Sequence, residues 1–223
     1  MRRLCRFMTA MAVLAGLACG CGSNAGDSLV LRFLRFDNTG ITQADAVREN
    51  SADVDVEQDL CLSGTTITAE PFTQTVINAV FINEEAADIR LNRYRIALPK
   101  IGNQDSGLGD FIEQNVTVNL PGGRCVGMDI PCATSADCAA TGGGGSASIC
   151  LHTETTVHAL LLFDFVTKTQ LDNPQFFGIS TDLTITFFGS DDANRDLETS
   201  ANYVVTFGDF NNCPTSGGGG AGS

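Results

Sequence analysis

Asp182-Leu-Thr-Ile-Thr-Phe-Phe188 and Ser200-Ala-Asn-Tyr-Val-Val-Thr-Phe-Gly-Asp-Phe210 flank the turn Gly189-Ser-Asp-Asp-Ala-Asn-Arg195. In the first segment Leu183, Ile185 and Phe187 alternate with Thr184 and Thr186; in the second, Ala201, Tyr203, Val205 and Phe207 alternate with Asn202 and Thr206. Successive side chains of a strand point to opposite faces, so a period of two predicts strands with one buried and one wet face. Sheets of that kind are antiparallel. The residues between them accept turn geometry, and the pair reads as a hairpin.

The same signal recurs upstream, giving candidate strands at 29–36, 52–60, 75–83, 89–98, 111–120 and 155–167 besides 182–188 and 200–210. Within 155–167, Val157, Ala159, Leu161, Phe163 and Phe165 fall on one face and His158 and Asp164 on the other. No amphipathic helix is expected, since 42–49 has room for two turns at most. About eight strands predict an all-β fold, and the array over residues 29–213 resembles an immunoglobulin-like or fibronectin-like antiparallel β-sandwich. That resemblance implies that 52–60, as the second half of the first strand, pairs in parallel with 200–210.

The chain of 223 residues carries 13 Lys+Arg against 26 Asp+Glu, a net charge of −13. At 43% hydrophobic and 17% charged it is too apolar for a disordered chain and long enough to bury one core. With pI ≈ 4.3 it lacks the basic footprint that nucleic acid requires.

Residues 1–20 combine Arg2, Arg3 and Arg6 with an apolar run over 7–18, the layout of a secretory signal peptide too short to span a bilayer. Leu17-Ala-Cys-Gly-Cys21 then resembles a bacterial lipobox, which implies lipidation of Cys21, with Cys19 the rival, followed by a polar spacer to residue 28. Removing the leader leaves 10 basic and 26 acidic residues, net −16. The expected location is the cell envelope, periplasmic or surface-exposed, with the membrane touched through the N-terminal lipid; simple cleavage would give a secreted protein instead.

Six cysteines remain in the exported domain: Cys61, Cys125, Cys132, Cys138, Cys150 and Cys213. An even set in an oxidising compartment reads as disulfides. Four crowd into 121–150, a segment with little core-forming content, so two bridges are expected in this Cys-rich insertion and one between Cys61 and Cys213. The insertion's Cys132-Ala-Thr-Ser-Ala-Asp-Cys138 resembles the C-x4-D-C staples of secreted proteins, and its intervals are too long for zinc knuckles. Residues 214–223 form a Gly-rich tail that cannot order itself.

Chemistry is sparse. His152 and His158 are the two histidines, and neither lies in a catalytic motif; the Gly142 to Gly145 run lacks the Lys-Ser/Thr of a phosphate loop. Asp53, Asp55, Glu57 and Asp59 alternate and would place four carboxylates on one face, either as charges guarding a sheet edge or as a Ca²⁺ site. Asp191, Asp192 and Asn194 form a smaller oxygen-rich turn. No metal or cofactor is expected. The functional expectation is a non-enzymatic envelope lipoprotein with a structural, adhesive or ligand-binding role toward an envelope protein or glycan. The alternative is a carbohydrate-binding or hydrolytic module using the acidic ladder, and exposed Tyr94 or Phe side chains grouped on one sheet face would favour sugar.

Overall fold

The computed structural model describes residues 30–63, 65–141, 148–210 and 213. Cys21, the leader, the spacer, the Gly142 to Gly145 run and the tail lie outside them. The fold is all-β, built on two larger sheets. One runs in the order β2 (Ala46–Val47), β3 (Ser51–Asp55), β13 (Asp196–Gly208), β12 (Ser180–Asp191), β7 (Ile89–Ala97), β8 (Ile112–Leu120). The other holds β1 (Leu31–Asp37), β6 (Thr75–Asn83) and β11 (Glu154–Phe163). Two-stranded pieces, β4 (Leu60–Ser63) with β5 (Thr66–Ala69) and β9 (Arg124–Cys125) with β10 (Cys150–Leu151), stand beside them.

The alternation in the terminal hairpin builds the core. Leu183, Ile185, Phe187, Tyr203, Val205 and Phe207 are all buried, and they meet Ile77, Ala79 and Phe81 of β6. Rings interlock between the sheets edge to face, Phe81 on Phe187 at 4.8 Å, Phe36 on Tyr203 at 5.0 Å and Phe163 on Phe207 at 5.4 Å. Such pairs add about 0.5–1.5 kcal/mol each beyond the area they bury. Tyr94, also buried, crosses the core to donate its hydroxyl to the Leu161 carbonyl at 2.9 Å, and burial pushes its phenol up to about 12.

β3 runs parallel to β13, from Ser51 opposite Val204 to Asp55 opposite Gly208. Beyond those ends Cys61 and Cys213 form a disulfide with Cα atoms 5.3 Å apart. It spans 152 residues, for which the chain-entropy model gives about 5 kcal/mol as an upper value. The pairing also defines two poles. β3 and β13 end at one; at the other, β1 begins opposite the end of β6, Leu31 facing Asn83.

Three expectations need correction. Segment 52–60 is not one strand: β3 stops at Asp55 and β4 starts at Leu60. Segment 155–167 breaks twice. A bulge with Ala159 at φ 54° shifts the register after Val157, so Leu160 and Leu162 face the core where Ala159 and Leu161 were expected. Past Phe163 the chain turns into a helix, Phe165–Leu171, because the Asp164 carboxylate caps it by accepting from the Thr167 amide at 2.7 Å. Residues 42–49, where no more than two helical turns were expected, hold none, only β2.

That helix, α2, follows α1 (Ser135–Ala140) in chain order and delivers Lys168 to a buried partner. The Lys168 ammonium lies 2.7 and 2.9 Å from the two Asp45 oxygens, both side chains fully buried. Asp45 also accepts from the Asp55 amide at 3.0 Å and from the Thr75 hydroxyl. Burial pushes the Lys168 amine down while Asp45 opposes that shift. Breaking a buried pair leaves an uncompensated charge. Lys168→Met is therefore expected to cost about 3–5 kcal/mol in urea unfolding, and Asp45→Asn combined with Lys168→Met to cost clearly less than the two changes summed. Additive losses would show that the two charges do not interact.

Candidate functional site

The pole where β3 and β13 end gathers acid. Asp59 and Glu70 bracket the β4–β5 hairpin at its root, the Glu70 amide donating to the Asp59 carbonyl at 2.9 Å and the Asp59 amide to the Glu70 carboxylate at 3.2 Å. Glu57, Asp172 and Asp209 share their field. Repulsion from Asp172 first, then desolvation, raises the Glu57 pKa; desolvation, then Asp59, Glu70 and Asp172, raises that of Asp209.

From this acidic root the hairpin projects an apolar face. Leu60 pairs across the strands with Ala69 and Leu62 with Ile67, so all four side chains share one face. Leu60, Leu62 and Ile67 are 65–72% exposed, while Cys61 points the other way into its disulfide. Val166 and Phe165 of α2 are exposed too, Phe165 tilted against Phe72 at 5.8 Å.

The sequence-predicted ladder is not one face. Asp53 pairs with Arg48 at 2.8 Å, Asp55 is fully buried next to Lys168, and Glu57 and Asp59 follow the end of the strand. Nor does β3 form a bare edge, since β2 and β13 flank it. Asp191 is buried and bound to its own turn, accepting from the Ala193 and Arg195 amides and pairing with the Arg195 guanidinium at 2.7 Å. Tyr94 belongs to the core rather than to a surface.

In the insertion Cys125 joins Cys138 and Cys132 joins Cys150. Three of these sulfurs lie within 4.8 Å of one another, but all are oxidised. Asp137, the acid of the C-x4-D-C pattern, accepts from the Ala133 and Thr134 amides at 3.0 and 2.8 Å and so starts α1. His152 spans the insertion and β6, one ring nitrogen 2.7 Å from the Asn83 carbonyl and the other 3.1 Å from that of Ala133. A Cβ on Gly123 would sit 2.6 Å from the His152 ring, so only glycine permits this docking. His158 is exposed.

Sequence reasoning missed a cluster on the outer face of the six-stranded sheet. Arg93 lies over Phe188 at 4.5 Å, Arg95 over Phe111 at 4.1 Å, and Glu113 pairs with both guanidiniums. A shallow hollow of about 420 Å³ adjoins it, lined by Asn92, Asp196 and Glu198. Comparison with known proteins finds no family model that matches the chain and no curated protein that matches it.

The acidic pole makes a prediction with a defined sign. Folded-state values of Glu57 and Asp209 lie above the unfolded ones, so their charged forms, through repulsion and desolvation at Glu57 and through desolvation and then repulsion at Asp209, oppose folding at neutral pH, a cost that vanishes as pH falls through the folded and then the unfolded values. Asp172→Asn, which relieves both, should raise Tm at pH 7 and low salt by about 1–2 °C. The gain should disappear in acid and at 1 M salt. An unchanged Tm at low salt would show that these carboxylates do not sense one another.

Proposed function

We propose that the chain is a non-enzymatic lipoprotein of the cell envelope, anchored through Cys21 and binding a protein partner through its β4–β5 hairpin. Its fold is an immunoglobulin-like β-sandwich. That reading is supported by a first strand divided between sheets, β1 in one and β3 in the other, with β3 parallel to the last strand. The absence of enzymatic chemistry is supported by how the reactive groups are used. Lys168 and Asp45 neutralise each other in the interior, His152 ties two backbone segments together, and the six cysteines are oxidised.

The observation that carries the binding role is the exposure of Leu60, Leu62 and Ile67 on one face of a disulfide-anchored hairpin. A contiguous exposed apolar face is an interaction surface. Its acidic root excludes a second copy of this chain, which would bring like charges together, and favours an apolar groove rimmed by Arg or Lys. The hairpin also stands at the pole opposite the start of β1, the end that leads to the anchor. A second reading, glycan binding, is favoured by Phe111 and Phe188 on the outer sheet face, although Arg95 and Arg93 already cover those rings.

A photoreactive residue at Leu62, introduced into the chain in its native host, tests the docking role. The expected result is a covalent adduct with a protein whose cross-linked surface is an apolar groove flanked by basic residues, lost when Leu60 and Ile67 are changed to Ser. Adducts confined to lipid or to a second copy, or the same adducts from a probe at the exposed Asn202, would contradict it.

A further inference from the structure

Asn115-Val-Thr117 in β8 is the one Asn-X-Ser/Thr triplet of the chain, X being other than proline. Asn115 and Thr117 are both exposed, with Val116 half-buried between them. β8 is the last strand of the six-stranded sheet, and among the described residues no strand pairs with its outer side. The register against β7 shifts at this triplet, Arg93 facing Asn115 and Leu91 facing Val118, so Val116 and Thr117 bulge opposite Asn92. Among the described residues no group hydrogen-bonds the Asn115 side chain, whereas nearby Asn119 donates to Asp88 at 3.3 Å. Glu113, two residues earlier and also exposed, presents a carboxylate held by Arg95 at 3.0 Å.

The edge itself needs a cover. Long open edges template pairing with other chains and are normally blunted by Lys, Pro or charge. β8 has nine residues, Ile-Glu-Gln-Asn-Val-Thr-Val-Asn-Leu, with one charge, neither Lys nor Pro, and its one bulge against β7 at the triplet itself. On the other large sheet β1 carries Arg32 and Arg35 with a bulge, and β11 is interrupted twice.

We propose that Asn115 is an N-glycan acceptor whose saccharide shields the open edge of β8. In the transfer the Asn115 Nδ2 bonds to the anomeric carbon of a polyprenyl-diphosphate-linked oligosaccharide. The bond from that carbon to the diphosphate oxygen breaks, the lipid diphosphate leaves, and the amide gives up one proton. Nothing is oxidised or reduced. The Thr117 hydroxyl and the Glu113 carboxylate flank the acceptor as recognition groups for the transferase.

The proposal rests on the export half of the reading above and is independent of hairpin docking. Full-length chain purified from its native host is digested with trypsin, which isolates residues 101–124 on one peptide between Lys100 and Arg124. Mass spectrometry should find that peptide carrying a saccharide. The modification should be lost in Asn115→Gln and Thr117→Ala and retained in Thr117→Ser. The N-terminal peptide of the same sample reports leader removal. A processed chain with an unmodified 101–124 peptide overturns the acceptor assignment alone; an unprocessed, unmodified chain overturns the export reading with it.

Discussion

The parallel pairing of β3 with β13 is the contact on which the remaining geometry depends. It joins a segment near the start of the domain to its last strand, and the Cys61–Cys213 bridge closes it just past both ends. Parallel neighbours cannot be joined by a tight turn, so this contact is made across a long sequence separation, whose closure costs chain entropy. A covalent bridge over 152 residues offsets part of that entropy. Tyr203 adds a second tie, its hydroxyl 2.8 and 2.7 Å from the carbonyls of Arg48 and Ser51. The same bridge fastens the root of the apolar hairpin to the domain, so one link serves both fold and exposed surface.

Charge is distributed by pole. The interior holds one ammonium against Asp45 with Asp55 close by, while Glu57, Asp59, Glu70, Asp172 and Asp209 crowd the end of the molecule around the hairpin. Like charges held together despite mutual repulsion oppose folding, and a basic partner would relieve that cost. The insertion sits at the far pole, where Arg124 pairs with Asp88 at 3.1 Å and Gly123 donates to the Glu85 carbonyl at 2.8 Å. Its two bridges form the small core of its described residues, Cys125, Cys132 and Cys138 buried with Met128 and Ile130 packed against them.

The strands of the terminal hairpin were legible because one face is wet, so the parity of Leu183 or Tyr203 could be read directly. Segment 155–167 was not, because the run from Ala159 to Phe163 is apolar throughout and satisfies either parity, which hides a bulge. Asp164 reads as a polar strand position until its cap on Thr167 is seen. Asp55 alternates with Val54 and Val56 as an outward residue would, yet the sheet ends there and the chain beyond it folds over the carboxylate. Lys168 lies 123 residues from Asp45, beyond the reach of any local pattern. The Arg93, Arg95, Phe111 and Phe188 cluster assembles from β7, β12 and the residue before β8 and leaves no trace in any one of them.

Non-reducing peptide mapping is the most direct test of the strand order. After proteolysis under conditions that block thiol exchange, the account predicts a peptide pair linking Cys61 to Cys213, with Cys125 linked to Cys138 and Cys132 to Cys150. A peptide joining Cys61 or Cys213 to any cysteine of the insertion would contradict the parallel β3–β13 contact and the placement of the hairpin that follows from it.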